Sequence, residues 1–169
     1  MKLIIINGPT GIGKSTVSKL LYEQNPKSFL LNIDEVRRNI SHYAEHREES
    51  LALSHAISRS MIRTVFENGK DVILEKCMIR AGVIDGYRAV AEEFSAEIHE
   101  FILWAPKEFV MERADTRGWH EGGLLTQEKC AQLWDKINVL KDQRPQAKIL
   151  EVINLSPEQV CTEIRKYLI

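Results

Sequence analysis

Residues Gly8-Pro9-Thr10-Gly11-Ile12-Gly13-Lys14-Ser15 decide how the rest of this chain is read. The octet matches the phosphate-binding pattern G-x-x-x-x-G-K-[S/T] in full, and its flanks agree with it. Upstream, Leu3-Ile4-Ile5-Ile6 is an unbroken apolar run of the kind a buried strand carries. Downstream, Val17, Leu20 and Leu21 fall on one face of a helix. A strand feeding a glycine-rich turn into a helix aims backbone N–H groups at an anion, and the helix dipole favours negative charge there. Gly8, Gly11 and Gly13 supply the open backbone that a phosphate nest needs. Thr10 and Ile12 complete the loop, and Thr16 continues into the first helical turn. The pattern sends Lys14 to the β- and γ-phosphates and the Ser15 hydroxyl to Mg2+, so it predicts binding of a nucleoside triphosphate.

Working outward, 169 residues suit one domain, taken as residues 1–169, with a core that needs no disulfide or structural metal. A net charge of −1 supplies no basic field, which disfavours nucleic acid and a membrane surface as partners. Cys77, Cys130 and Cys161 are scattered and form no C-x-x-C pair, which points to free thiols in a reducing compartment. The first apolar run is too short for a secretory leader or a membrane span. A cytoplasmic location is expected.

Short apolar strands alternate with amphipathic helices, the signature of an α/β fold around a parallel sheet. Strands are expected at 3–7, 29–33, 71–75, 96–103 and 148–153. The helix after the phosphate loop should span about 14–23. A longer one at about 48–67 carries Leu53, Ile57, Met61 and Val65 at i,i+4 spacing and stops at Asn68-Gly69. Val83, Tyr87, Val90 and Phe94 mark a third helix, Pro106 suits the first position of a fourth, and Trp134 falls on an apolar helix face. Ser156-Pro157-Glu158-Gln159 reads as a capping box with proline at the first helical position. Two segments break the alternation: the polar stretch 40–49 and the glycine-rich stretch 116–125. Both fall where strands two and four leave the sheet, the end at which open α/β sheets bind ligands. They are expected to act as substrate cover and lid.

Phosphoryl transfer asks a protein for positioning and for charge stabilisation. Asp34, at the end of the second strand, is the candidate to orient or deprotonate an acceptor hydroxyl, and it could equally cap the helix that follows. Glu75 closes the third strand, where a carboxylate holds Mg2+ directly or through water; an ion pair with Lys76 or an arginine is the other reading. Arg113 and Arg117 share one helix face running into the lid and suit a clamp on ATP phosphates. The alternative is an exposed face paired with Glu112 and Asp115. Arg37, Arg38, Arg59 and Arg63 lie on the acceptor side, where a phosphate- or carboxylate-bearing acceptor would use some of them. Arg144, just before the last strand, is a candidate to stack on adenine. The five histidines lack metal-ligand spacing and read as loop or surface residues.

The chain resembles the small P-loop kinases of the nucleoside monophosphate kinase fold, a group that includes shikimate, gluconate, chloramphenicol and polynucleotide 5′-end kinases. The likeness rests on G-P-T-G-I-G-K-S-T at 8–16, on Asp34 after the second strand, and on A-P-K-E-F-V-M-E-R-A-D-T-R-G at 105–118. It implies a three-layer fold with a five-stranded parallel sheet in the order 2-3-1-4-5 and helices on both faces. It also implies a short lid at about 113–126 and an acceptor-side segment at about 35–67. ATP and Mg2+ are the implied cofactors, and Asp34 inherits the role of base or orienter. Where shikimate kinases carry Asp-x-Asp, this chain has Asn32-Ile33-Asp34, which takes away one metal ligand and argues against shikimate. The expected activity is ATP- and Mg2+-dependent transfer of a phosphoryl group to a hydroxyl of a small molecule. Kept beside it are a nucleotide or polynucleotide 5′-end kinase, and a nucleotide-binding regulator with slow ATPase activity.

Overall fold

The computed structural model describes residues 1–118 and 125–168, with Arg117 described by its backbone alone. Five parallel strands form one sheet: β1 (Lys2–Asn7), β2 (Ser28–Asn32), β3 (Asp71–Glu75), β4 (Glu97–Trp104) and β5 (Lys148–Glu151). Their order is β2-β3-β1-β4-β5, as the resemblance implies. β1 is central, and its run Leu3–Ile6 is apolar because both faces are covered. Leu3 and Ile5 join the core on one face, while Ile4 and Ile6 join the core on the other.

Seven helices are described: α1 (Lys14–Glu23), α2 (Ile33–Arg38), α3 (Arg47–Glu67), α4 (Ala81–Glu93), α5 (Lys107–Arg117), α6 (Gln127–Asp142) and α7 (Pro157–Arg165). From α3 and α4, Ile62, Phe66, Ile84 and Tyr87 pack on the Leu3–Ile5 face. From α1, α5 and α7, Val17, Leu21, Val110, Val160 and Ile164 pack on the other. The α7 capping box forms as read: Ser156 Oγ accepts from Gln159 N, and Gln159 Oε1 accepts from Ser156 N at 2.7 Å. All three cysteines are free thiols. Among the described residues no helix is long and apolar enough to cross a membrane.

Three local expectations need correction. Pro106 is the N-cap of α5 and not its first helical residue. α6 is a full helix, capped by Thr126 Oγ1 accepting from Lys129 N; its alternating charges hid all but the Trp134 face. The third correction concerns the inner face of α3. Leu53 and Ile57, expected in its apolar stripe, are 48% and 37% exposed, whereas Ser50, Ser54, His55, Ser58, Ile62 and Phe66 are buried. Length explains this. At 21 residues α3 runs about 31 Å, while the five-residue strand β3 runs about 17 Å. The first half of α3 therefore overshoots the sheet and packs on α2 and α4 through small serines. Ser50 and Ser54 satisfy their hydroxyls on nearby main-chain carbonyls. That overshoot builds one wall of the site below.

Candidate active site

At the carboxyl end of β1 the chain turns through the phosphate loop. Gly8 sits at φ 144, and a Cβ there would lie 2.5 Å from the Leu103 carbonyl oxygen, so only glycine fits against the end of β4. Gly13 is the α1 N-cap in the left-handed region, with no side-chain cap. The first α-helical bond runs from Val17 N to the Gly13 carbonyl, which leaves the N–H groups of Lys14, Ser15 and Thr16 uncapped at the positive end of α1. Lys14 is buried and donates from Nζ to the Pro9 carbonyl at 3.0 Å. Thr10 and Gly11 are half-buried, Gly11 lying against Val110 and Ala114 of α5, and Ile12 anchors the loop in the core between α1 and α5. Arg113 of α5 lies over the Phe109 ring, and its Nη2 is 3.7 Å from where a Gly13 Cβ would stand. It stands beside the loop. The side chain of Arg117, together with Trp119, His120 and the rest of 119–124, lies outside the described residues.

The carboxyl ends of β2 and β3 bring four side chains together. Asn32 Oδ1 accepts from Asp34 N at 2.9 Å and from Glu35 N at 3.2 Å, so Asn32 caps α2 and Asp34 does not. The Asp34 carboxylate is thereby left for Lys76, whose ammonium ion-pairs with it. Burial works against charge on Asp34, yet Lys76, with Lys14 and Arg38 behind it, holds the carboxyl below the ordinary aspartate range. Glu75 is buried; Oε1 accepts from Ser15 Oγ at 3.1 Å and Oε2 from Asn32 Nδ2 at 2.6 Å. Burial pushes its pKa up, against the pull of Lys14 and Ser15. Lys76 pairs with Asp34, not with Glu75, and the reading of Glu75 as half of an ion pair gives way to the Ser15–Asn32 bracket.

Asn7 ties this cluster to the loop. Fully buried, its Oδ1 accepts from Gly8 N and from Met78 N, both at 2.8 Å, while its Nδ2 donates to the Met78 carbonyl at 2.9 Å. The 76–80 connection, which carries Lys76 and Arg80, is thus fastened to the phosphate loop.

The arginines sort differently from their sequence positions. Arg37 donates to Ser50 Oγ at 3.0 Å and to the Arg47 carbonyl at 2.9 Å, and it lies over the Tyr43 ring. Through Nε and Nη2 it holds the 39–46 connection against α3. Arg63 forms a forked pair with Glu93. Arg144 is only 3% exposed: Nε and Nη2 grip the Glu100 carboxylate at 2.9 and 2.7 Å, and Nη1 reaches Asp85 at 2.5 Å. A guanidinium so enclosed cannot stack on adenine; it neutralises a glutamate buried in the middle of β4. Arg38 and Arg59 carry no ion pair among the described residues.

Sequence reasoning also passed over His55. It is buried, with Nδ1 2.6 Å from the Tyr87 hydroxyl. Burial first, then the positive charges of Lys76 and Arg59, lower its pKa to about 4, so the imidazole is neutral. Its place among the serines at 50, 54 and 58 was the available signal: those positions define the inner face of α3.

An uncapped glycine-rich turn, a buried lysine and a hydroxyl–carboxylate pair at the carboxyl end of a 2-3-1-4-5 sheet define a P-loop nucleotide-binding domain with the fold of small kinases. The chain belongs to the family described as an AAA domain, whose model matches residues 3–136. No curated protein matches. Among solved structures it is similar to the tunicamycin resistance protein of Deinococcus radiodurans: 18% identity, TM-score 0.66, covering 99% of this chain and 96% of that one. It is also similar to a gluconokinase from Sinorhizobium meliloti, with 16% identity, TM-score 0.70, and 96% and 89% covered. A sugar kinase from Janibacter sp. HTCC2649 aligns at 15% identity and TM-score 0.72, with 99% and 94% covered. At such identities the likeness is one of fold.

Proposed function

We propose that this chain is an ATP- and Mg2+-dependent phosphotransferase that moves the γ-phosphoryl group to a hydroxyl of a small molecule. The observation that carries the reading is Asp34: an ionised carboxylate, released from capping by Asn32, held by Lys76 and within electrostatic reach of Lys14. The uncapped amides of Lys14, Ser15 and Thr16 bind the polyphosphate, and Lys14 balances charge on its outer groups. Asp34 accepts the proton of the attacking hydroxyl as its oxygen bonds to the γ-phosphorus and the bond to the β–γ bridging oxygen breaks. Lys76 keeps Asp34 ionised and fixes its orientation. Arg113, and Arg117 with it, supply positive charge to the equatorial oxygens when the 113–126 segment closes.

The donor set suits Mg2+. Ser15 Oγ and Glu75 Oε1 are hard oxygens side by side, and no group of three or more His, Cys, Asp or Glu among the described residues competes as a metal cage. Mg2+ held by few protein ligands takes its remaining positions from phosphate and water. When bound it neutralises charge on the β- and γ-phosphates; Ser15 directly and Glu75 directly or through water are the residues that would hold it.

ADP release measured with MgATP across a panel of hydroxylated metabolites tests the reading. Stimulation by one class of acceptor is expected, and Asp34→Asn should lower that turnover by about 10²- to 10⁴-fold with MgATP affinity intact. Full turnover by Asp34→Asn would remove the assigned base. Stimulation by a 5′-hydroxyl oligonucleotide alone would favour an end kinase, and acceptor-independent slow hydrolysis would favour a regulator.

A further inference from the structure

We propose that the acceptor is a small alcohol that also carries an anionic group, phosphate or carboxylate, seated between Arg59 and Arg80 at the α3–α4 seam. The inference rests on the phosphotransferase reading and specifies its substrate class. Its ground is a set of arginines on the acceptor side of Asp34 that no carboxylate among the described residues matches. Asp34, the carboxylate at the start of α2, is already matched by Lys76. Glu75 is turned to Ser15 and Asn32, Glu93 to Arg63, and Asp85 to Arg144. Arg38, Arg59 and Arg80 are left with no ion pair among the described residues.

Geometry brings two of them, Arg59 and Arg80, to α4. Arg59 stands one turn beyond His55 on α3 and is half-buried. Its Nη1 lies 3.9 Å from where a Gly86 Cβ would be, so the guanidinium crosses to α4 against bare backbone. One residue on, Tyr87 bonds His55 at 2.6 Å and clasps α3 to α4 at that level. Arg80 is the N-cap residue of α4, exposed, at the end of the 76–80 connection that Asn7 fastens to the phosphate loop. The charges of Lys76, Arg59, Arg80 and Asp34 are all near enough to influence the His55 imidazole.

A half-buried guanidinium without a counter-charge is costly, and a planar fork of donors suits carboxylate or phosphate. An uncharged polyol would leave this arrangement unanswered. An anionic alcohol answers it, and places its hydroxyl toward Asp34 while its charged end is held two side chains away. His55, kept neutral, adds neither repulsion nor a competing charge.

Two measurements decide the matter. In the first, MgATP-dependent turnover is compared for matched pairs: sugar acids and sugar phosphates against their uncharged parent sugars. The charged members should win by about tenfold or more in kcat/KM. Arg59→Gln and Arg80→Gln should each raise KM for them by about tenfold, with kcat falling far less. The carboxylate and phosphate arms tell the two anions apart. In the second, inorganic phosphate is titrated calorimetrically into protein already saturated with Mg2+ and a non-hydrolysable ATP analogue. Binding that the Arg59→Gln/Arg80→Gln double variant loses supports the subsite. Equal use of charged and uncharged acceptors, an unmoved KM, or no phosphate binding to the loaded protein overturns it. Absence of turnover with every acceptor would sink the kinase reading, and the phosphate titration would still decide the subsite.

Discussion

Replacing Arg144 by methionine distinguishes the role the structure gives this residue from the one its sequence position suggested. Methionine keeps the aliphatic stem and removes the guanidinium that bonds Glu100 twice and Asp85 once. Asp85 is 56% exposed and returns to water at little cost, but the Glu100 side chain is 1% exposed and stays behind, charged. Removing one partner of a buried pair costs about 3–5 kcal/mol. Arg88, 3.6 Å from Glu100, offers partial compensation and sets the expectation at the lower end, about 3 kcal/mol. For 169 residues the unfolding entropy is about 0.35 kcal/mol per kelvin, so the Tm should fall by about 8 °C. Calorimetry on the wild type, Arg144→Met and the double variant Glu100→Leu/Arg144→Met provides the assay. The double variant should regain most of the loss, because it removes the stranded charge along with its partner. Affinity for a fluorescent ATP analogue should be unchanged throughout. A Tm drop below about 3 °C together with weakened nucleotide binding would refute the argument and return Arg144 to the adenine site.

Three further outcomes follow from the same structure. Gly8→Ala forces a Cβ to 2.5 Å from the Leu103 carbonyl at a φ of 144, and main chain cannot move aside cheaply; nucleotide binding should be lost and about 1–3 kcal/mol of stability with it, read by analogue titration and urea unfolding. Lys76→Met leaves Asp34 with the burial that raises its pKa and without the cation that offsets it, so the acid limb of kcat/KM should move to higher pH; an unmoved limb would mean that Asp34 does not govern it. His55 is lowered to about 4 in the folded chain from 6.5 unfolded, so as pH falls through that window only the unfolded state gains a proton. Stability present above pH 6.5 should therefore decline by about 2–3 kcal/mol by pH 4, and His55→Gln should flatten that slope in urea midpoints taken across it.

What could be read in the chain follows from the range of each interaction. The phosphate loop, the strands and the α7 capping box are written in neighbouring residues, and they stand where the sequence puts them. Asp34 also emerges, because strand ends beside a phosphate loop are a known place to look. Its release from capping does not, since that depends on Asn32 and on Glu75 43 positions away. Arg144 and Glu100 lie 44 residues apart, and their pairing is set by the approach of α6 to β4. One clue was present: a glutamate beside Phe101-Ile102-Leu103 in a strand buried on both faces requires a cation from somewhere. The apolar spacing on α3 misled because period alone cannot tell whether a helix has a sheet beneath it. Only the length of β3 shows that the first half of α3 does not.

Asn7 has a consequence for motion. By stitching Gly8 to Met78 it makes the bed for the triphosphate and the connection bearing Lys76 and Arg80 one rigid piece. In the proposed reaction, the sites for donor and acceptor are therefore set in register when the polypeptide folds, before any ligand arrives.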